Sequence, residues 1–326
     1  MSKLACLFPG QGSQSVGMGQ DLFNEFSQAK ETFISIDNIA GRSLSKLCFE
    51  GPESELKRTI NTQPTVLAMS LAAWRCYEAL GGPRPDYVAG HSLGEFTALV
   101  AAGVISLEDA VRLVEKRARL MEECPRGAMS AILGVAADEL EAATAEASGE
   151  LKCGGASDNE ACVIVANFNT REQLVISGNP NAVARVGELA KAKGGKVIPL
   201  PVGGAFHSPL MVAAAREFAN DIEKASCKDA ACYVVQNFDA QATKEAKAIK
   251  EKLTRQIDSS VRWCATIENM LGQGVDIFVE IGPGKALAGM VKKIDKSAKI
   301  YNVYDAATLR QTVAALKELF VGQTAG

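Results

Sequence analysis

The order of apolar and polar positions predicts alternating strands and helices over the first 127 residues. Apolar runs at residues 4–8 and 87–89 are too short for helices and are typical of buried strands. Longer stretches, up to about residue 36, over residues 64–80 and over residues 95–102, favour helices. Because short apolar strands separated by helices usually pair in parallel, we expect a mostly parallel sheet with helices on both faces.

A different pattern occupies residues 128–200. Apolar runs and helical stretches follow one another there in the order β-α-β-β-α-β, which is that of the split ferredoxin-like unit. The strands are predicted at residues 129–135, 162–166, 173–177 and 196–200, and the helices at residues 138–147 and 182–192. Residues 149–160 are rich in Gly, Ser, Asp and Asn, and they predict a surface loop between the first helix and the second strand.

The first pattern resumes after residue 200, with apolar runs at residues 234–236 and 277–281. The intervening unit is therefore predicted to be an insertion. We expect an α/β protein in which residues 1–127 and 201–326 form a large domain and residues 128–200 form a small inserted subdomain.

One predicted helix has a clear start and a clear apolar face. Ser106 and Asp109 have the spacing of an N-cap residue and its acidic partner. Arg117 projects about 80 degrees from the centre of the apolar stripe that follows, at the border of the buried face. Periodicity alone favours a surface arginine there, and the alternative is a guanidinium that reaches a pocket. The stripe consists of Leu107, Ala110, Val111, Val114, Ala118 and Met121.

Composition excludes several classes of partner. With 35 Lys and Arg against 38 Asp and Glu, the net charge of −3 provides no basic field for nucleic acid. The nine cysteines form no C-x-x-C pair, so we expect free thiols in a reducing compartment. No apolar run has the length of a membrane span, and we expect a cytoplasmic protein without a membrane partner. An organelle is the alternative if a transit peptide has been removed.

The segment Gly90-His91-Ser92-Leu93-Gly94 fits a G-x-S-x-G nucleophile elbow, because a predicted strand precedes it and a predicted helix follows it. The alternative is a glycine-rich turn with an N-capping serine. A serine nucleophile needs a base, and the chain has only two histidines, His91 and His207. Neighbouring side chains on such a turn diverge, which favours His207.

A second glycine-rich segment, Phe8 to Gln14, follows the first predicted strand. It lacks the third glycine of a dinucleotide loop, since Ser15 stands there, and no P-loop lysine follows. Its Gln11 is a candidate for a second amide donor beside Ser92. The first donor would be the N–H of Leu93, just past the nucleophile.

Taken together, these segments resemble the malonyl-CoA:acyl-carrier-protein transacylase family of type II fatty acid synthesis, over nearly the whole chain. The resemblance implies a large domain of the α/β-hydrolase kind. The motifs are FPGQGSQ at 8–14, TQP at 62–64, GHSLGE at 90–95, LVEKR ending at Arg117, NFN at 167–169, AFHSPLM at 205–211, RQ at 255–256 and EIGPGKALAGM at 280–290.

The resemblance also implies roles for single residues. Ser92 would carry the acyl group, and His207 would act as general base and acid. The backbone carbonyl of Gln256 would orient the imidazole in place of a carboxylate. The main-chain N–H groups of Gln11 and Leu93 would form the oxyanion hole.

Other residues would bind the acyl group. Arg117 matches the arginine that pairs with the free carboxylate of malonate, and a guanidinium suits that task because it offers two parallel donors. Asn169 and Phe206 would line the site, and His91 would support the elbow.

The sequence departs from the family at two places. Gly204 departs from malonyl-specific relatives in modular synthases, some of which have histidine at that position. Residues 149–160 also form a longer loop than in typical bacterial members.

The expected reaction is a ping-pong transfer of malonyl from CoA to the phosphopantetheine thiol of acyl carrier protein, through a malonyl-serine intermediate. No permanently bound cofactor and no metal are expected. The alternatives are a serine hydrolase or thioesterase with the same core, and a non-catalytic docking module. The hydrolase arrangement places its histidine near the C-terminus, whereas His207 is followed by more than a third of the chain.

A cluster of lysines near the C-terminus is a candidate docking patch for the acidic carrier protein, and the alternative is a solvated C-terminal helix. We expect the protein to be a monomer. Five lysines stand against the single acid Asp295 in this segment: Lys285, Lys292, Lys293, Lys296 and Lys299.

Overall fold

The computed structural model describes residues 2–321, which form two β-sheets and the helices around them. The strands are β1 Lys3–Phe8, β2 Tyr87–Gly90, β3 Ala128–Leu133, β4 Val163–Thr170, β5 Gln173–Gly178, β6 Lys196–Pro199, β7 Tyr233–Val235, β8 Ala242–Thr243, β9 Val275–Ile281 and β10 Lys299–Val303. The FPGQGSQ motif begins at Phe8, the last residue of β1, and continues into the loop after it, so this motif lies at the carboxyl end of a strand.

Helices connect most of these strands. They are α1 Gln20–Glu25, α2 Ser27–Ala40, α3 Leu44–Glu50, α4 Glu53–Leu56, α5 Thr59–Ala79, α6 Gly94–Ala101, α7 Leu107–Glu122, α8 Ala137–Cys153, α9 Pro180–Ala192, α10 Val212–Lys224, α11 Ala246–Leu253, α12 Trp263–Gly272, α13 Ala286–Ile294 and α14 Ala306–Val321. A 3₁₀ turn, Pro209–Met211, precedes α10.

The large sheet has the strand order β10-β9-β1-β2-β7-β8 and is parallel except for the short edge strand β8. Alternate residues of β1 enter different cores. Leu4, Cys6 and Phe8 pack on one face, whereas Ala5 and Leu7 pack on the other. The sheet is therefore covered by helices on both faces, which confirms the predicted α/β fold class.

The small sheet is antiparallel with the order β4-β5-β3-β6. Together with α8 and α9 it forms the ferredoxin-like β-α-β-β-α-β unit, and its apolar core is separate from the two cores of the large sheet. All its strands lie between residues 128 and 199. The domain boundaries at residues 127 and 200 stay a prediction.

Helix α5 begins at Thr59, and the predicted start at Pro64 is wrong. A proline inside a helix cannot donate to the carbonyl four residues earlier, which here belongs to Ile60. Arg42 Nη2 takes that place and donates to Ile60 O at 2.8 Å. A side chain from another element thus satisfies the carbonyl that Pro64 leaves free, and the helix continues through the proline.

Three further boundaries differ from the predictions. Helix α8 extends to Cys153, so the predicted loop 149–160 is wrong at its start, and the connection to β4 begins at Gly154. The single helical stretch predicted up to residue 36 is divided at Phe26, whose extended backbone separates α1 from α2. The segment of the lysine cluster is not one helix, because α13 ends at Ile294 and Lys299 begins β10.

The parallel arrangement brings three strand ends to one edge of the large sheet. The loops after β1, β2 and β7 all begin there, since these strands are neighbours and run in the same direction.

All nine cysteines are unpaired, as expected. No helix within residues 2–321 is long and apolar enough to cross a membrane. Over the same residues, no group of three His, Cys, Asp or Glu side chains could hold a metal ion.

Candidate active site

Ser92 lies on the tight turn between β2 and α6, with a left-handed backbone at φ 50°. The two glycines of the pentapeptide allow this turn. A Cβ on Gly90 would lie 1.9 Å from the carbonyl of Gly94, and a Cβ on Gly94 would lie 2.0 Å from Phe8 O. Only glycine permits such close packing of β1, β2 and α6, so the turn has the geometry of a nucleophile elbow.

His207 approaches the serine from the loop that follows β6. Its Nε2 lies 2.7 Å from Ser92 Oγ. Its Nδ1 faces two carbonyl oxygens, Gln256 O at 2.9 Å and Ser259 O at 3.2 Å. Because carbonyls only accept hydrogen bonds, Nδ1 carries the ring proton and Nε2 accepts the hydroxyl proton of Ser92. The imidazole is oriented by backbone carbonyls and not by a carboxylate.

The imidazole is held neutral. Burial and then the charge of Arg117 lower the pKa of His207 to about 3, while the hydrogen bond to the Gln256 carbonyl opposes this shift. At neutral pH the ring is therefore unprotonated, which is the state required of a general base.

Arg117 is buried, with 1% of its surface exposed, and its guanidinium extends into the site. Nη1 donates to Gln63 Oε1 at 2.6 Å, and Nη2 donates to Ser92 Oγ and Gln256 Oε1, both at 3.0 Å. Nε has no hydrogen-bond partner. All three partners are uncharged, and Arg117 forms no salt bridge within residues 2–321.

The surface position that periodicity favoured for Arg117 is wrong. Helix α7 packs against α5 on one side and α10 on another, so its buried face is wider than the apolar stripe. Its predicted start is confirmed, since Asp109 N–H donates to Ser106 Oγ at 3.0 Å. Burial lowers the pKa of Arg117 to about 9 and the nearby Glu95 charge opposes this, so the guanidinium remains a cation at neutral pH.

Two main-chain N–H groups near Ser92 have no hydrogen-bond acceptor in the described part of the chain. They belong to Gln11, in the loop after β1, and Leu93, the residue after Ser92. The side chain of Gln11 is directed elsewhere, since its Nε2 donates to Thr59 Oγ1 at 3.2 Å. These amides are available to a developing oxyanion.

The cleft beside Ser92 has a volume of about 270 Å³ and lies between the two sheets. Phe206 and Asn169 line it, together with Met121 and Met129. Asn169 Oδ1 also lies 2.8 Å from His91 Nε2, and the ring of His91 packs edge-on against Trp263 at 5.4 Å between centroids. His91 therefore connects the elbow to the small subdomain and does not contact the hydroxyl of Ser92.

Three contacts were missed by the sequence analysis. Gln63 holds Arg117, and its only signal was its position within TQP. Only the backbone of Gln256 was predicted to contribute, yet its Nε2 also donates to Ser92 O at 2.6 Å. Asn237, after β7, contacts the elbow backbone, and nothing in its sequence surroundings indicated this.

A nucleophile elbow, a neutral histidine and free amide donors around one serine define an acyl-transferring serine site. The model of the acyl transferase domain family matches residues 6–319, and the chain belongs to this family. It is 42% identical over 322 residues to the malonyl CoA-acyl carrier protein transacylase of Bacillus subtilis (strain 168), with 98% of both chains covered.

Solved structures of related transferases have a similar fold. The acyl carrier protein S-malonyltransferase of Vibrio cholerae superposes with a TM-score of 0.89 at 40% identity, covering 95% of this chain and 99% of the other. A malonyl-transacylase solved in complex with its type II PKS acyl-carrier protein gives a TM-score of 0.90 at 39% identity, with coverages of 96% and 100%.

Proposed function

We propose that this protein transfers a malonyl group from CoA to the phosphopantetheine thiol of an acyl carrier protein, through a malonyl-serine intermediate. The names of its relatives support the substrate and the partner, because identity of about 40% extends over nearly the full length of the chains. The solved complex with a carrier protein supports a direct encounter with that partner.

One observation supports an acyl group that has a free carboxylate. Arg117 is a buried cation whose hydrogen-bond partners are all neutral, and its Nη2 lies 3.0 Å from Ser92 Oγ. A buried cation that makes no direct ion pair is costly even with the Glu95 carboxyl nearby, so a carboxylate that pairs with it gains more than it would in water. An acyl group with a free carboxylate, such as malonyl, would meet this cation when its thioester carbon reaches Ser92.

In the first half-reaction, Ser92 Oγ attacks the thioester carbon while His207 Nε2 takes the hydroxyl proton. The N–H groups of Gln11 and Leu93 would stabilise the oxyanion, each contributing about 2.7–4 kcal/mol at the transition state. The intermediate then collapses, the carbon–sulfur bond breaks, and His207 returns the proton to the sulfur of CoA.

The second half-reaction is the reverse with a different thiol. His207 takes the proton of the phosphopantetheine thiol, and the sulfur attacks the carbonyl carbon of malonyl-serine. Collapse breaks the bond to Ser92 Oγ, which recovers its proton from His207. The same base thus acts in both directions, with the Gln256 carbonyl orienting its ring.

The lysine patch, Lys285, Lys292, Lys293, Lys296 and Lys299, is proposed as the docking surface for the carrier protein. Its side chains are exposed, and three residues of α13, namely Ala286, Leu287 and Met290, line the cleft of Ser92. Lys292 is partly engaged, because its Nζ donates to Lys296 O and Ala298 O. Lys285, directly before α13, is the member of the patch next to these cleft residues, and the other four follow α13 towards the start of β10, away from the carboxyl edge of the large sheet.

The remaining expectations concern location and assembly. Nine unpaired thiols support a reducing compartment, and we propose a cytoplasmic location. A monomeric state, the absence of a permanently bound cofactor and the domain boundaries at residues 127 and 200 stay predictions.

The proposal is tested by intact-mass measurement after mixing the protein with malonyl-CoA or acetyl-CoA. Wild type should gain one malonyl group and pass it to holo carrier protein, whereas Ser92→Ala should gain none. Arg117→Ala should form the malonyl adduct about 100-fold more slowly, because two charge-assisted hydrogen bonds together contribute about 3 kcal/mol or more. It should keep its acetyl adduct.

Arg119→Ala is the matched control, because Arg119 lies on the same helix but is exposed. It should leave both rates unchanged. A malonyl adduct on Ser92→Ala, or none on wild type, would contradict the covalent intermediate. An equal loss of malonyl and acetyl transfer in Arg117→Ala would show that the arginine is structural. Release of free malonate without a carrier protein, at the rate of transfer, would favour the hydrolase.

A further inference from the structure

The backbone of the elbow is held from outside the turn by one side chain. Asn237, two residues after the end of β7, accepts a hydrogen bond from Ser92 N–H on Oδ1 and donates from Nδ2 to Gly90 O, both at 2.7 Å. The side-chain amide therefore spans the turn from the residue before His91 to the residue after it. Asn237 is 1% exposed, so water does not compete for these contacts.

These two bonds extend a backbone ladder. Strands β2 and β7 pair in parallel up to Ala89 and Val235. Beyond that point the chain turns sharply into the elbow. There the Asn237 side chain makes hydrogen bonds to Gly90 O and Ser92 N–H in place of a neighbouring strand. Asparagine suits this position because one planar group carries both a donor and an acceptor.

Asn237 is itself fixed on both sides of its backbone. Its N–H donates to Glu95 Oε2 at 2.9 Å, and its carbonyl accepts from Arg262 N–H at 3.0 Å. Glu95 lies in the first turn of α6, directly after the elbow, and is 1% exposed. The elbow, the start of α6 and the end of β7 thus form one closed hydrogen-bonded unit.

This unit controls two groups of the reaction. Ser92 has a sparsely populated conformation that persists only when its surroundings hold it, and this conformation presents Oγ to His207 Nε2. Because Asn237 occupies the N–H of Ser92, the N–H of Leu93 is the free donor of the turn. An elbow that relaxed would misplace the nucleophile and this donor together.

We propose that Asn237 is a positioning residue for acyl transfer, which holds the Ser92 turn in its reactive conformation and is itself oriented by Glu95. The inference rests on the proposed acylation of Ser92. Asn237 reaches the chemistry through the backbone of Ser92 and Gly90, so its loss should slow acylation without weakening the contacts of Arg117 with substrate.

The test compares wild type, Asn237→Ala and Asn237→Asp in rapid-quench acylation by malonyl-CoA, with intact mass as the readout. The rate constant per active site and the burst amplitude are measured separately. Asn237→Ala should lower the rate constant about 100-fold, the effect of a nucleophile misplaced by about 1 Å, with the KM for malonyl-CoA nearly unchanged. A merely structural residue would lower the amplitude and leave the rate constant intact.

Asn237→Asp adds a signature that a structural role would not show. Its carboxyl can accept from Ser92 N–H in either state, but it can donate to Gly90 O only when protonated. Its rate constant relative to wild type should therefore rise as the pH is lowered. Taking the ratio removes the titration that both proteins share at Arg117 and His207, whereas Glu95, which bonds to the backbone of residue 237, titrates together with the new carboxyl.

Asn179→Ala is the matched control, because Asn179 caps α9 in the small subdomain through Asn181 N–H at 3.0 Å. It should lower stability and leave the rate constant unchanged. An Asn237→Ala rate constant within about threefold of wild type overturns the inference. If that variant does not fold, a wild-type rate constant for Asn237→Asp at every pH overturns it. Failure of wild type itself to acylate Ser92 would instead refute the proposed function.

Discussion

At the scale of single residues, the site contains one buried cation whose hydrogen-bond partners are all neutral. Arg117 contacts the hydroxyl of Ser92 and the amides of Gln63 and Gln256, and it influences His207 through its charge. After burial, this positive charge is the next largest cause of the lowered pKa of His207. In the proposed function this guanidinium selects the carboxylate of the acyl group, whereas the neutral state of His207 depends chiefly on burial.

The lowered pKa of His207 predicts a pH-dependent stability. The ordinary histidine pKa of about 6.5 applies to the unfolded chain, and the folded value is about 3. Between these values only the unfolded state binds the proton, so stability is present above about pH 6.5 and is lost as the pH falls. At about pH 5 the loss should be on the order of 2 kcal/mol relative to about pH 7.

Urea unfolding of wild type and His207→Gln at about pH 7 and about pH 5 measures this difference. His91 also has a lowered pKa, chiefly through burial, but it is present in both proteins and cancels. The wild type should lose more stability than the variant between the two pH values. Equal losses would mean that His207 has an ordinary pKa in the folded protein.

At the scale of elements, α5 and α7 hold Gln63 and Arg117 against each other. Arg42, which follows α2, connects the two helices: besides Ile60 O it contacts Asn61 Oδ1 at 2.5 Å and Glu115 Oε1 at 2.9 Å. The proline of the TQP motif thus has a partner in a distant arginine. The sequence pattern placed the helix start at the proline because the compensating donor is separated from it by about twenty residues.

A double-mutant cycle between Arg42 and Pro64 tests this compensation. Arg42→Met should lower the free energy of unfolding by about 1–2 kcal/mol, a modest value because the Arg42 side chain is 33% exposed. In a Pro64→Ala background, the new N–H can donate to Ile60 O. Arg42→Met should then cost about 1 kcal/mol less, measured by urea unfolding. The same cost in both backgrounds would show that the two residues are independent.

At the scale of the whole molecule, the cleft exists because the ferredoxin-like unit is packed over the carboxyl edge of the large sheet. Phe168 N–H donates to Val261 O and Val261 N–H donates to Ala166 O, so β4 pairs with the segment that follows the carbonyls orienting His207. The small subdomain, the base and the elbow are therefore parts of one connected framework.

Charge reversal tests the patch. Lys293→Glu with Lys296→Glu should raise the KM for carrier protein roughly 3- to 10-fold at low salt, because attraction accelerates the encounter, and should leave the KM for malonyl-CoA unchanged. Lys292 is left in place because it bonds to backbone carbonyls. Lys191→Glu with Lys193→Glu on the small subdomain changes the net charge equally and is the control.

Salt provides a further check, since added salt should reduce the difference between the patch variant and wild type. If the patch variant and the control variant have the same KM for carrier protein, overall charge and not this surface determines the encounter.

The sequence by itself determined the fold class, the ferredoxin-like insertion pattern and the positions of Ser92, His207 and Gln11, because strand and helix periods and glycine requirements are local properties. The burial of Arg117, the second contact of Gln256 and the partnership of Asn237 with the elbow were decided only by the tertiary structure. The burial of Arg117 depends on how many other helices pack around its own helix. The contact of Asn237 depends on two strand ends that become neighbours only in the folded sheet. Such contacts join residues separated by more than a hundred positions, and no local pattern records them.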